Sequence, residues 1–247
     1  MPHSAHPNAA PAADPTRNRL LAALAPDDLA RLRPYLEPVA LGLGEVPSEP
    51  GRPIAHVLFP EAGIVSVLAV APDGRRRIEA GMIGREGVVG LPVVLGMDAG
   101  PHETLVQAEL RGWRLGSDEL RRAMARSPAL HGVLLRYVQA FMAQTAHTLL
   151  ANTCHRLDER LARWLLMSRD RLDGDGLLLT QDLLSRMLGA NRPGVTLAVR
   201  ALEDAGLIGH ARGRITVLDR AGLEEAAGGS YGAPEAEYAR LFGPPPG

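Results

Sequence analysis

Apolar residues recur at helical spacing through the second half of the chain. Between Pro128 and Cys154 they return every three or four residues with few charges among them, which predicts a helix of about 25 residues. A helix this long and uncharged has more apolar surface than one neighbouring element can cover. We therefore expect part of it to contact another subunit. Shorter helical patterns occupy residues 18–36, the segment after Ser117, which could cap a helix, and residues 156–172.

Short β-type runs replace the helical pattern between residues 39 and 115. They are broken by Gly, Pro and Asp, and the clearest is 63–70, followed by the turn Ala71–Gly74 and a second run at 75–83. Further strand candidates are 57–59, 104–110 and 113–115. Several short strands at close spacing predict a small antiparallel barrel or roll.

The stretch GANRPGVT, residues 189–196, separates two further helical patterns. Gly189 suits the left-handed residue that ends a helix, and Asn191 suits the N-cap of the next one. Pro193 then falls in the first turn, where its missing N–H would have no intrahelical partner. The pattern predicts helices at about 180–188, with Thr180 as N-cap, and at about 192–205. Two helices joined by so tight a turn are typical of a helix-turn-helix.

A β-hairpin is predicted directly after these helices, between residues 207 and 218. Arg212 and Arg214 fall at its tip, where they could contact phosphates in the manner of a wing. Five arginines lie between Arg186 and Arg214 against two acidic residues, a local balance of +3 in a chain whose net charge is -1. Any nucleic-acid surface is therefore local.

Composition argues against a disulfide, a zinc site and a membrane-spanning segment. The single cysteine, Cys154, excludes an intrachain disulfide, and the neighbouring His155 does not supply the ligand count of a zinc site. No apolar run approaches the roughly 20 residues that cross a bilayer, and no signal-peptide core is visible. We expect a cytoplasmic protein without a membrane partner.

Residues 1–16 are predicted to be a disordered leader, and the tail beyond residue 227 has one possible helix, APEAEYARLF, with no assigned role.

Seven motifs follow one another along the chain, between about residues 18 and 225: HVLFPEAGIVSVL, GMIGREGVVGLPVVLG, RLARWLL, LTQDLLSRMLG, RPGVT, ALEDAGLI and RGRITVLDRAGLE. This ordered set resembles the Crp/Fnr superfamily of bacterial transcription regulators. It implies an α+β fold: an N-terminal antiparallel β-roll like that of cyclic-nucleotide-binding domains, a long dimerisation helix and a C-terminal winged helix-turn-helix. The expected divisions are leader 1–16, sensor roll 17–126, dimerisation helix 127–154, DNA-binding domain 155–226 and tail 227–247.

The resemblance also implies a homodimer on a two-fold symmetric double-stranded DNA site, and it allows RNA polymerase as a further partner. Arg192 matches the base-reading arginine of the family, and Thr180 matches a residue that caps the first helix near a phosphate. Pro193 and Leu197 depart from the family pattern, which has a glutamate and a second arginine there. The operator is therefore expected to differ from that of the best-known members, with the remaining contacts shared among Asn191, Thr196, Arg200, Gln181, Arg212 and Arg214.

A sensor pocket is expected around Gly84, Arg85, Glu86, Gly87 and Thr104. In nucleotide-binding relatives a Gly-Glu loop and an Arg-Ser or Arg-Thr pair hold ribose and cyclic phosphate, but His102 and Glu103 occupy the corresponding cation position here. A phosphate beside Glu103 is disfavoured without a fixed cation, and nothing in the sequence fixes the direction of Arg85. We therefore expect no cyclic nucleotide, and no haem, whose axial ligand could only be guessed among His56, His102, His131 and His147. The effector stays unassigned.

One interpretation of a different class remains. The β-roll could be a cupin-like ligand-binding module or enzyme, with the helical end serving to dock a partner. A cupin enzyme needs clustered histidine and carboxylate ligands, whereas the eight histidines are scattered. We therefore expect no enzymatic activity.

Overall fold

The computed structural model describes residues 17–74, 76–174, 176–178, 181–211 and 213–244. The predicted leader lies outside these residues, as do Thr180 and Arg212. The chain forms an α+β structure, as the sequence predicts, with an antiparallel sheet in its front half and a helix-rich module behind it.

The front half is built on a four-stranded antiparallel sheet in the order β1-β4-β2-β3. Its strands are β1 (Glu37–Leu41), β2 (His56–Val70), β3 (Arg77–Ile83) and β4 (Glu103–Gly116). Single bridges join Ser48 to Thr104, Pro53 to Ala99 and Leu58 to Val89, so the connecting segments fold back onto the sheet as a roll. The predicted hairpin 63–83 is confirmed as β2, a turn and β3.

Two pairs of predicted short strands are each one long strand. Residues 57–59 and 63–70 both belong to β2, and residues 104–110 and 113–115 both belong to β4. The register between β2 and β4 shifts three times between Pro60 and Val65, around Gly63 with a φ of 92°. A Cβ on Gly63 would lie 2.3 Å from the Glu109 carbonyl oxygen, so only glycine fits this bulge.

Short helices flank the sheet, and the structure corrects one predicted cap. They are α1 (Arg19–Ala22), α2 (Pro26–Leu32), α3 (Leu91–Val94) and α4 (Ser117–Arg126), with a 3₁₀ turn at Arg33–Tyr35. Ser117 does not cap α4, because its hydroxyl donates to the Ile54 carbonyl oxygen over 2.5 Å and Gly116 occupies the N-cap position. The prediction of a Ser117 cap was wrong.

The long helix α5 (Pro128–Cys154) has 27 residues and lies across the edge of the sheet. Ser127 caps it, accepting a hydrogen bond from Leu130 N. Gln144 on its buried face accepts from Met82 N over 2.7 Å and donates to Met82 O over 3.2 Å. The amide thus pairs with edge strand β3 as a further strand would, and it leaves no room for a side chain at Gly81.

The rear module contains α6 (Leu157–Arg169), α7 (Gln181–Leu188), α8 (Arg192–Asp204) and α9 (Arg220–Ala226). Its three-stranded antiparallel sheet has the order β5-β7-β6, from β5 (Gly176–Leu178), β6 (Ile208–Ala211) and β7 (Arg214–Val217). The hairpin β6–β7 confirms the predicted wing strands, whereas the sequence did not indicate β5.

The front sheet and the rear module share one hydrophobic core. Ile64, Leu68 and Met82 of the front sheet are buried in the same cluster as the apolar faces of α6, α7 and α8. A buried polar contact crosses the same boundary, since Trp164 Nε1 of α6 donates to Glu79 Oε1 of β3 over 3.0 Å. The rear module is therefore packed directly on the roll.

The possible helix in the tail is confirmed as α10 (Ala233–Phe242). It packs against α5, and the Tyr238 ring stacks on the Phe242 ring at a centroid distance of 4.8 Å. The Tyr238 hydroxyl donates to the Glu86 carbonyl oxygen over 2.9 Å. The tail, for which the sequence offered no role, therefore returns to the roll.

Candidate DNA-binding surface and sensor cluster

The turn between α7 and α8 has the conformation that GANRPGVT predicts. Gly189 has a φ of 58°, in the left-handed region that favours glycine. Asn191 Oδ1 accepts a hydrogen bond from Gly194 N over 2.8 Å and caps α8, with Pro193 in its first turn. Such a cap stabilises a helix start by about 1 kcal/mol. The turn is therefore short and fixed, and it sets the angle between the two helices.

The helix α8 has one buried face and one exposed face. Its buried side chains, which pack in the rear-module core against α6, are Val195, Ala198, Val199 and Leu202. Arg192 and Arg200 are exposed, as is Leu197, whose exposed fraction of 66% is high for a leucine. The helix thus presents two cations and one large apolar side chain to solvent along a single face.

Arg192 is held by an acidic residue that the sequence did not single out. Its Nη2 donates to Asp182 Oδ1 of α7 over 2.7 Å, and Arg186 binds the other oxygen of the same carboxylate. The hydrogen bonds from Arg186 and Arg192 lower the pKa of Asp182 below its usual value. The sequence did contain a signal for this contact, because Asp182 lies four positions before Arg186, the spacing at which opposite charges pair on a helix. Counting Asp182 lowers the local balance from +3 to +2.

Gln181 and Thr196, two more of the predicted contact residues, lie close together beside the N-terminal end of α8. The Thr196 hydroxyl lies 3.2 Å from Gln181 Oε1 and 3.0 Å from the Arg192 carbonyl oxygen, and it can donate to either. Asn191 is engaged as the cap described above. The structure therefore brings Gln181, Asn191, Arg192 and Thr196 together at the N-terminal end of α8, with Arg200 two turns further along.

The wing holds one predicted contact residue within the described part of the chain. Arg214 is exposed at the start of β7, and Arg212 falls outside the described residues. The carboxylate of Glu203, near the end of α8, accepts from His210 N over 3.3 Å. The hairpin is thereby tied to α8, so the two elements form one surface.

The loop of residues 84–87 surrounds a buried carboxylate in the front half. Glu86 accepts hydrogen bonds from Gly84 N at 3.1 and 3.2 Å and from Arg171 Nε at 2.8 Å. Arg171 follows α6, is almost fully buried, and also donates to the Met167 carbonyl oxygen over 2.7 Å. Burial is the largest single influence on the pKa of Arg171 and lowers it, but the combined attraction of Glu86, Glu235, Tyr137 and Asp170 makes the net shift upward. The negative charge of Glu86 is therefore neutralised by a residue of the rear module.

Both glycines of this loop are needed for packing within the chain. A Cβ on Gly84 would lie 2.8 Å from the Arg171 side chain, and a Cβ on Gly87 would lie 1.9 Å from the Tyr137 hydroxyl oxygen of α5. The surfaces that the two glycines leave open are thus covered by Arg171 and Tyr137.

Arg85 points to the rear module. Its guanidinium donates to the Arg171 carbonyl oxygen over 3.1 Å and to Asp173 Oδ1 over 2.8 Å. Hydrogen bonds from Arg85 and Arg17 lower the pKa of Asp173. The direction that the sequence left open is therefore fixed by two acceptors after α6.

Thr104 is engaged elsewhere in the roll. Its hydroxyl oxygen lies 2.9 Å from both Ser48 N and Ser48 Oγ. The neighbouring Glu103 forms an ion pair with Arg77 at 3.1 Å. The position at which the resemblance expects a phosphate-binding cation thus carries a carboxylate that is already paired.

The described residues contain no group of three or more His, Cys, Asp or Glu side chains arranged to hold a metal ion. None of their helices is long and apolar enough to cross a bilayer.

Known proteins are similar to this chain in its rear module and in its overall fold. Residues 159–226 match the family model described as a Crp-like helix-turn-helix domain. No curated protein matches the chain at a significant level. Among solved structures, FixK2 from Bradyrhizobium japonicum is 17% identical, with a TM-score of 0.67 over 77% of this chain and 96% of that one.

Two transcriptional regulators from Thermus thermophilus are also similar. One, of the CRP family, is 23% identical, with a TM-score of 0.65 over 79% of this chain and 99% of that one. The other, of the CRP/FNR family, is 21% identical, with a TM-score of 0.62 over 79% of this chain and all of that one. At these identities the likeness establishes the fold.

Proposed function

We propose that this chain, which carries a Crp-like helix-turn-helix domain within the fold of the Crp/Fnr transcription regulators, binds a two-fold symmetric DNA site as a homodimer and regulates transcription. One observation carries the proposal. The capped turn Gly189–Asn191 presents Arg192, exposed, at the N-terminal end of α8, within the part of the chain that matches the family model. In a helix-turn-helix this end of the second helix faces the base edges.

Arg192 is the side chain that we propose for base recognition. Bidentate donation from arginine to guanine is the commonest specific contact in the major groove. Gln181, Thr196 and Asn191 lie at the same end of α8, and Arg200 and Arg214 extend the exposed basic surface towards the backbone. Two phosphate contacts stay predictions: that of Thr180, which the resemblance implies, and that of Arg212, which its place at the tip of the hairpin indicates.

A row of exposed residues on α5 supports the homodimer. The residues are spaced alternately by four and three, as in the a and d positions of a coiled coil. They form what we call the α5 seam: Leu135, Gln139, Met142, Ala146, Leu149 and Thr153. Leu135, Met142 and Leu149 are apolar, large and exposed in the single chain. Burial of this seam against its copy would remove them from water.

We propose further that the roll does not hold a cyclic nucleotide beside Glu86. Arg171 occupies the Glu86 carboxylate, Tyr137 covers Gly87, and the paired Glu103 stands where a phosphate would need a cation. A ribose and phosphate would have to displace these contacts without gaining a replacement charge.

Site selection from a random DNA pool by the full-length protein tests the function. We expect selected sites with two-fold symmetry. On the selected site, Arg192→Ala is expected to weaken binding by about 5- to 150-fold, the equivalent of one lost base contact, with little change on random DNA. The matched control is Arg52→Ala, an exposed arginine of the roll paired with Glu49. Unchanged specific affinity and unchanged salt dependence for Arg192→Ala would refute the assignment.

A further inference from the structure

A cavity of about 210 Å³ lies where the front half, the rear module and the tail meet. We call it the junction cavity. Its lining includes Arg19 of α1, Tyr137 of α5, Arg171 after α6, Arg220 of α9 and Tyr238 of α10. It therefore differs from the interior of the roll, because the rear module and the tail supply part of its wall.

Most of the charged groups that line the junction cavity are paired. Arg171 binds Glu86, Arg220 Nη1 donates to Asp170 Oδ1 over 2.7 Å, and Arg85 binds Asp173. The remaining carboxylate, Glu235, accepts a hydrogen bond from Gly232 N over 3.0 Å. These contacts hold the wall together and leave the charges of the paired groups largely neutralised.

Two donors in the wall lack an acceptor. The Nε atom of Arg19 and the hydroxyl oxygen of Tyr137 are buried, and neither has a hydrogen-bond partner among the described residues. Tyr137 is only 2% exposed. A buried donor without an acceptor costs about 1–3 kcal/mol, so two such groups, in two residues that line one cavity, favour an acceptor bound beside them. Arg19 is a cation, which favours an acceptor with negative charge.

We infer that the junction cavity binds a small organic anion, whose carboxylate or phosphate oxygens accept hydrogen bonds from Arg19 Nε and the Tyr137 hydroxyl. The apolar body of the ligand lies against Phe141, Ala140 and Pro234, which also line the cavity. Ligand pockets for drug-sized molecules commonly have volumes of about 300–1,000 Å³. The junction cavity is smaller, so its ligand is a small acid.

Occupancy of the cavity is coupled to the rear module by the tail. The Tyr238 hydroxyl binds the Glu86 carbonyl oxygen, and the Tyr231 hydroxyl donates to Asp170 Oδ2 over 2.5 Å. Arg163 Nε donates to the Ser230 carbonyl oxygen over 3.0 Å. Glu86, Asp170, Tyr231 and Tyr238 line the same cavity as Arg19 and Tyr137, so a ligand there would lie against the contacts that hold the rear module. This coupling rests on the proposed function, because it predicts that the anion changes DNA affinity and that DNA changes anion affinity by the same factor.

Anion binding is measured on the full-length protein without DNA, by calorimetry and thermal unfolding at constant ionic strength. The probes are inorganic phosphate and benzoate, with neutral benzamide as the control for the ring. We expect saturable binding of at least one anion at millimolar concentration or below and none of benzamide. Binding of phosphate alone would identify a phosphate site, and binding of benzoate alone a carboxylate site. Failure of both anions would overturn the inference.

Tyr137→Phe separates a ligand site from a structural role. Because the hydroxyl has no partner among the described residues, its removal is expected to leave the unfolding midpoint without anion unchanged or raised, while anion affinity falls about tenfold or more. Arg19→Gln is expected to weaken the anion similarly. Tyr238→Phe is the matched control that removes an engaged hydroxyl from the same cavity and lowers stability instead. Wild-type anion affinity in both Tyr137→Phe and Arg19→Gln would place binding elsewhere and refute the site.

A second measurement, DNA affinity with and without the anion, distinguishes the two proposals. Anion binding without any effect on DNA affinity would refute the coupling and leave the site intact. Anion binding by a protein that selects no DNA site would refute the proposed function alone.

Discussion

Arg192 Nη2 donates a hydrogen bond to Asp182 Oδ1 over 2.7 Å, across the turn that joins α7 to α8. The candidate base-reading arginine is therefore paired with a carboxylate of the preceding helix. Arg186 shares that carboxylate, so one acidic side chain holds two cations of the exposed surface. Guanine or phosphate oxygens would have to replace Asp182 as acceptors when DNA binds.

Asp182→Asn is expected to raise affinity for random DNA. The change removes a negative charge from the DNA-facing surface and releases two arginines to phosphates. Because the pair is exposed, the gain is modest, about two- to fivefold at low salt, and it shrinks as salt rises. Fluorescence anisotropy over a salt series measures it. The matched control is Asp204→Asn, which removes the same charge from the exposed C-terminal end of α8.

Two outcomes would contradict this prediction. An equal gain in Asp204→Asn would assign the effect to net charge alone. A loss of affinity for random DNA in Asp182→Asn would mean that the carboxylate holds Arg186 and Arg192 in position for the phosphates.

Leu197→Ala is expected to reduce preference for thymine at one position of each half-site. Leu197 is 66% exposed on the same face of α8 as Arg200, where apolar side chains contact the thymine methyl group in the major groove. Site selection compares the base frequencies of the variant and the wild type. Leu43→Ala, at a leucine of the roll that is 62% exposed, is the control. An unchanged preference at every position would show that Leu197 contacts no base.

The parts of the fold that the sequence predicted are specified by local signals. Gly189 and Asn191 determine the turn and the cap through their own backbone and side-chain preferences, and Pro193 tolerates only a few helical positions. The same reasoning divided β2, because the predicted runs 57–59 and 63–70 left out residues 60–62. These residues belong to one continuous strand whose register against β4 shifts between Pro60 and Val65.

The environment of Glu86, in the loop of residues 84–87, depends on contacts that no local sequence pattern contains. Glu86 meets Arg171 at a sequence separation of 85 residues and the Tyr238 hydroxyl at a separation of 152. Each partner belongs to an element whose position is set by the packing of the rear module and of α10 on the roll. The composition of APEAEYARLF predicted a helix but not the surface that it covers.

Leu149→Glu is expected to dissociate the proposed homodimer. Leu149 lies in the α5 seam with an exposed fraction of 68%, and a glutamate there would place like charges opposite each other in the buried interface. Light scattering after size-exclusion chromatography measures the mass, and affinity for the symmetric site is expected to fall with it. Leu43→Glu introduces the same charge at a similarly exposed leucine outside the seam. A dimer that survives Leu149→Glu but not Leu43→Glu would locate the interface on the roll.

Glu79→Gln is expected to stabilise the protein at neutral pH relative to the wild type. The Glu79 carboxylate is 5% exposed and accepts from Ser66 Oγ, Gln107 Nε2 and Trp164 Nε1. Burial raises its pKa above the ordinary value of 4.5, although the three hydrogen bonds oppose the shift. The folded protein therefore binds this proton more tightly than the unfolded chain. The stability contributed by the protonated group is complete below about pH 4.5 and is lost as pH rises through the folded-state pKa.

Urea unfolding of both proteins across this pH range tests the prediction. Glutamine stays neutral, so the free energy of unfolding of Glu79→Gln minus that of the wild type is expected to grow with pH and then level off. Gln107 Oε1, which has no partner among the described residues, can accept from the new amide if the Gln107 amide turns over. Glu79→Ala is the control, because it leaves Trp164 and Gln107 donors unpaired and is expected to lose stability at every pH. A difference between Glu79→Gln and the wild type that does not vary with pH would show that Glu79 keeps its ordinary pKa in the folded protein.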